Sequence, residues 1–176
     1  MSSRSGKFCL YLFVCLVALS VLPIHAADVV SDPISDVRVN VAGKVTSLSA
    51  SVLAGMPHVD VTAAAHDELP STWRGVSLVD VLSRAGVALD KPLRGRDLAL
   101  FVRVTASDRY QVVFALSDLD PTLAHNQVLL VDQRDGKPLD KDGPYRLLVP
   151  GDKRPARWVR NVAVIEVVDG ATSARP

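Results

Sequence analysis

The chain has 176 residues, with 20 Lys or Arg against 19 Asp or Glu, so its formal charge of +1 supplies no broad basic field of the kind that nucleic acid needs. Any preference for anions must be local. Its length suits one domain with a real core, of the usual size of about 100 to 200 residues.

The first 26 residues read as a secretory signal peptide. Arg4 and Lys7 form a basic start, Phe8 to Leu22 carries no charge, and Pro23 to Ala26 supplies a helix break and a small residue before the expected cut. The apolar run is shorter than the roughly 18 to 20 residues that a bilayer span requires. The expectation is therefore a periplasmic or secreted protein with no membrane association after cleavage, the alternative being a retained anchor. Cleavage leaves 150 residues with 18 basic and 19 acidic side chains. Both cysteines, Cys9 and Cys15, leave with the leader, and no small residue precedes Cys15 as a lipidation site would require. The mature chain then has no disulfide and no thiolate.

Residues 27–35 read as a flexible lead-in, 36–170 as a single domain and 171–176 as a tail. Asp36 to Val41 alternates, Ala42-Gly43 turns and Lys44 to Leu48 returns, which is a hairpin pattern. Ser49 is placed to cap a short helix ending at Ala54, with Gly55 just beyond, and His58 to Ala64 alternates again as a strand. His66 to Thr72 reads as loop. After Trp73-Arg74-Gly75-Val76, the stretch Ser77 to Gly86 has a cap, an apolar face of Leu78, Val81, Leu82 and Ala85, and a closing glycine. Strands are expected at Leu98–Val104, Tyr110–Leu116, Gln127–Val131 and Arg146–Val149, a turn at Arg134-Asp135-Gly136, and a last apolar stretch at Trp158–Val168. Strands outnumber helices without alternating with them, which indicates an α+β fold of layered, mixed β-structure with a few short helices.

Familiar catalytic patterns fail. Gly75-Val76-Ser77 is followed by Val79, so there is no nucleophile elbow, and Ser77 serves better as a helix cap. Neither phosphate-loop nor dinucleotide glycine patterns occur. His58, His66 and His125 have no zinc-site spacing. What remains is a basic loop: Arg146 on a short apolar run, a Pro150-Gly151 break, then Lys153, Arg154, Arg157 and Arg160. Guanidinium forks match the paired oxygens of phosphate or carboxylate, and a Pro-Gly break frees backbone N–H groups. The competing reading pairs these arginines with Asp140, Asp142, Asp152 or Glu166 on a solvated face.

Four segments in this order carry a resemblance: WRGVSLVDVLSRAG (73–86), ASDRY (106–110), DGKPL (135–139) and GPYRLLVP (143–150) followed by Arg157-Trp158-Val159. Together they resemble the oxidoreductase molybdopterin-binding domain of the sulfite oxidase type, in a short exported form, over roughly residues 38–168. The resemblance implies a molybdopterin whose phosphate is held near Arg146 and Arg157, in a pocket to which Lys153, His66, Trp73, Asp108 and Tyr110 are also assigned. It further implies a metal-ligand cysteine after the strand at 58–64, where this chain reads Ala63-Ala64-Ala65-His66-Asp67-Glu68. Oxo-transfer of that kind needs a thiolate, and imidazole is a harder donor, which argues against molybdenum redox chemistry here.

Three readings follow. The chain is a periplasmic molybdopterin-domain protein that keeps a pocket for an anionic small molecule or pterin while its redox chemistry is lost or altered. Alternatively, it is an active molybdoenzyme with His66, or no side chain, in the cysteine's place. In the third reading it is a binding or sensing module for a periplasmic protein partner, with its arginines in structural ion pairs. The turn Asp108-Arg109-Tyr110 places Arg where a positive φ is costly, and Arg109 is expected in solvent.

Overall fold

Alternating burial makes the first two strands. β1 (Val37–Val41) buries Val37 and Val39 and turns Arg38 outward, and β2 (Lys44–Leu48) returns antiparallel with Leu48 opposite Val37. Ala42 (φ 50°) and Gly43 (φ 85°) take the left-handed backbone that a tight hairpin of this hand requires. Ser49 Oγ then accepts the Val52 N–H at 3.3 Å and starts α1 (Ala50–Ala54). The computed structural model describes residues 36–65 and 68–171. The expected leader and lead-in, His66 and residues 172–176 lie outside them.

Two five-stranded sheets follow. The first has the order β2-β1-β10-β5-β6, with β5 at Leu100–Ala106, β6 at Gln111–Ala115 and β10 at Val162–Asp169. β1 and β10 run parallel and the other pairs antiparallel, so the sheet is mixed. The second is antiparallel and holds β3 (His58–Ala63), β4 (Ser71–Ser77) and β7 (Leu129–Arg134) in that order. β8 (Lys137–Pro138) and β9 (Arg146–Leu148) pair with successive parts of β7. Between β4 and β5 lies α2 (Leu78–Arg84), whose cap Ser77 accepts the Val79 N–H at 3.2 Å and whose Leu78, Val81 and Leu82 are fully buried.

One expectation is corrected here. Ser71 and Thr72, expected in a loop, open β4 (Ser71–Ser77), an interior strand between β3 and β7 that also holds residues 73–76. Ser71, Trp73 and Gly75 face inward while Thr72 and Arg74 face out. A side chain at position 75 would put its Cβ 2.3 Å from the Leu130 carbonyl oxygen and 2.4 Å from the Val131 Cα, so β7 packs where only glycine leaves room. Strand ends also move by one to four residues. β5 starts at Leu100 because Gly95–Ala99 forms a 3-10 turn, and β10 starts at Val162 because Pro155–Arg157 forms another.

One core draws Val37, Val104 and Ile165 from the first sheet, Trp73, Leu130 and Leu147 from the second, and the buried face of α2. Each such aliphatic side chain contributes about 1.5 to 3 kcal/mol by burial. The described residues belong to one compact unit. Among the described residues no helix is long and apolar enough to cross a membrane.

Candidate anion site at a tryptophan pair

β9 is three residues long and wholly buried, and Arg146 stands at its start with 6% exposure. The backbone leaves it little freedom. Arg146 faces Val131 of β7 on one side, while on the other Leu147 N–H donates to the Val159 carbonyl at 2.7 Å and Val162 N–H to the Tyr145 carbonyl at 2.9 Å. Between these seams the guanidinium carbon lies 5.2 Å from the centre of the Trp73 ring and 5.7 Å from that of Trp158. The two rings meet edge to face, 5.9 Å apart at 81°. Each indole N–H is spent on a backbone carbonyl, Trp73 on Ala63 at 3.2 Å and Trp158 on Val149 at 2.8 Å, so both rings are fixed.

A carboxylate meets the guanidinium. Arg146 Nη1 donates to Asp142 Oδ2 at 2.6 Å, and the other oxygen of Asp142 lies 3.3 Å from Arg160 Nε. Arg146 Nε is buried with no partner. Burial pulls the Arg146 pKa below its ordinary value, and the Asp142 charge opposes that fall. Arg134 covers Trp73 as well, 4.8 Å from its ring centre, and donates to Ser71 Oγ at 2.9 Å and Glu68 Oε2 at 2.7 Å.

Trp73, Arg134, Lys137, Lys141 and Asp142 line an open cleft of ≈ 590 Å³. Its three cations face three carboxylates, Asp135, Asp140 and Asp142, so bulk charge does not favour an anion there. Donor geometry must. A smaller cleft of ≈ 270 Å³ is lined by Asp108, Tyr110, Ala156, Trp158 and Arg160.

The expected basic cluster is divided. Arg157 turns away from Arg146 and lies 4.8 Å over the Phe114 ring, with Nε donating to Asp152 Oδ2 at 2.8 Å and Nη2 to the other Asp152 oxygen. The next residue, Trp158, faces the Arg146 side, so consecutive residues serve opposite surfaces. Arg146 and Arg157 therefore do not share partners. Lys153 is exposed on the loop and lines neither cleft described above. Of the four acids expected to pair with the basic loop, Asp142 and Asp152 do, whereas Glu166 pairs with Arg103 at 2.9 Å.

Asp108 accepts the Tyr110 N–H at 2.9 Å and closes its own turn, with Arg109 exposed at φ 74°, as expected of that turn. The Tyr110 hydroxyl donates to the Ala156 carbonyl at 2.6 Å, tying this turn to the basic loop. His58 is held between the Met56 carbonyl at 2.8 Å and Asp132 at 3.3 Å, away from both clefts. Among the described residues no three His, Cys, Asp or Glu side chains gather as metal ligands.

Sequence reasoning placed Arg160 in the basic anion loop but assigned no ligand role to Arg134, Trp158 or Asp142. Trp158 was visible in the Arg157-Trp158-Val159 segment, and Arg134 in the turn it begins, but nothing in their spacing joins them to Trp73. A buried guanidinium with one unpartnered N–H, walled by fixed aromatic rings beside a cleft, fits a planar group that carries an oxyanion. For a metal held by protein sulfur the donor set does not fit, since the chain's two cysteines are at positions 9 and 15. Compared with known proteins, residues 28–175 match the family model of the oxidoreductase molybdopterin binding domain. No curated protein matches the chain significantly.

Proposed function

We propose, starting from the fact that this chain belongs to the oxidoreductase molybdopterin-binding domain family, that it holds the phosphate-bearing part of a pterin-type ligand at the Arg146–Trp73–Arg134 wall. The observation that carries this reading is the buried, unpartnered Nε of Arg146 next to two anchored indoles. Unpaired buried donors are rare because each forgoes about 1 to 3 kcal/mol, and a phosphate oxygen would satisfy this one. Arg134, stacked on the buried Trp73, supplies a flat surface for the ring part, and Lys137 and Lys141 line the same cleft.

Molybdopterin, when bound, supplies dithiolene sulfur to a metal and with it oxo-transfer chemistry. The residues of this chain bind and orient; no thiolate is available at the position where the sulfite oxidase type supplies one. The proposal is therefore a pocket-bearing protein, exported by the leader at 1–26, whose redox chemistry is absent or altered. Arg157 and Lys153 fall outside this pocket, and Asp108 and Tyr110 belong to the neighbouring cleft.

Calorimetric titration with inorganic phosphate, together with metal analysis of protein exported by a host that makes molybdopterin, tests both halves. Phosphate is expected to bind wild type and Arg157→Ala but not Arg146→Ala, with far less than one molybdenum per chain. Equal binding by all three proteins, or by none, removes the pocket. Near-stoichiometric molybdenum removes the claim of altered redox chemistry.

A further inference from the structure

We infer that Asp142 is a built-in competitor for the anion site, its carboxylate occupying the guanidinium face that a ligand's oxyanion must take. This rests on the pocket reading above. Asp142 uses both oxygens on cations, one on Arg146 Nη1 at 2.6 Å and the other on Arg160 Nε at 3.3 Å, and it also lines the cleft beside Trp73. It thus bridges the buried Arg146 and the exposed Arg160 as a phosphate would, while itself lining the cleft beside Trp73. Its hold is incomplete. The carboxylate leaves Arg146 Nε without a partner, and that side chain is only 7% exposed.

Release needs no loop movement. The Asp142 carbonyl accepts the Asn161 N–H at 3.1 Å, and the next turn is closed by Gly143 N–H on the Asp140 carbonyl at 3.1 Å, so the backbone is pinned while the side chain is 30% exposed. A change of side-chain rotamer moves the carboxylate toward solvent, and Arg160, itself 65% exposed, can follow it or stay. An incoming oxyanion then replaces one negative charge with another and gains the Nε bond that Asp142 does not make.

Internal competition has a quantitative signature. Every anion that needs the same donors is weakened by one common factor, the fraction of molecules in which the carboxylate has swung away. Asp142→Asn keeps an acceptor oxygen for Arg146 but removes the charge. Calorimetry of wild type, Asp142→Asn and Arg146→Ala with inorganic phosphate and with sulfate reads this factor. Asp142→Asn is expected to bind both anions at least about tenfold more tightly, with their ratio unchanged, and Arg146→Ala to bind neither. Unchanged or weaker binding by Asp142→Asn, with wild type still binding, overturns the competitor and leaves the pocket standing. No binding by wild type and by Asp142→Asn removes the pocket, and the competitor with it. Should Asp142→Asn fail to fold, the ¹³C carboxylate resonance of Asp142 in wild type decides. It is expected to move as phosphate saturates the protein, and a resonance that stays fixed while phosphate binds overturns the inference.

Discussion

Arg146 and Arg157 stand eleven positions apart in one basic stretch, and each pairs with an aspartate and covers an aromatic ring, yet they are built for different ends. Arg157 is chelated through two nitrogens by Asp152 and its side chain is 37% exposed, so its charge is answered locally and water does the rest. Arg146 is sunk in a strand, touches two rings instead of one, and has one of its donors unanswered. A ligand site is marked by what remains unsatisfied under burial, not by the density of positive charge.

The largest way to break the comparison removes the frame that buries Arg146. Gly75→Ala must push β4 from β7, since the added carbon meets backbone on β7 that cannot yield, and a loss of about 3 kcal/mol or more is expected in urea denaturation. Arg157 and its Asp152 pair lie elsewhere and give no protection. Next, Arg146→Ala is expected to cost about 1 to 3 kcal/mol, because Asp142 loses its best partner and the space between two indoles is left unfilled. Arg157→Ala is expected to cost no more than about 1 kcal/mol under the same conditions, as for other half-exposed pairs. Equal losses for the two arginines would abolish the distinction drawn between them.

The smallest effect sharpens it. Tyr110→Phe deletes the hydroxyl that reaches the Ala156 carbonyl, next to Arg157, from a side chain 49% exposed. About 0.5 kcal/mol or less is expected from thermal melts, with phosphate affinity unchanged, since the bond competes with water. A drop in affinity would show that the smaller cleft and the Arg146 wall act as one site.

Features whose cause lies within a few residues were legible in the sequence. Ser49 and Ser77 cap their helices, Asp135 and Gly136 make the left-handed turn expected of them, and the β1–β2 hairpin lies within a residue of its expected limits. The membership of the chain in its family was legible too, from four short segments in order. What was hidden depends on remote approach. β4 alternates inward and outward like any strand, but its start was read as loop, and the reason for its glycine lies more than fifty residues away on β7. Likewise, Arg146 and Arg157 look equivalent in sequence because nothing local says that Trp158 will take the side facing β9. Which arginine keeps a free donor is decided by Asp142, Asp152 and the two indoles together, and pairing of that kind is read only in three dimensions.

The position of β10 has a consequence for how such a molecule comes into being. Among the described residues Val162–Asp169 is the last strand in chain order but the middle one of its sheet, seated between β1 and β5. Without it, β1–β2 and β5–β6 are two hairpins that share no edge. Trp158, Arg160 and Asn161 arrive only just ahead of it. The strand is a keystone: it alone joins the two hairpins into one sheet, and a chain cut just before Val162 keeps Trp158 but loses that closure.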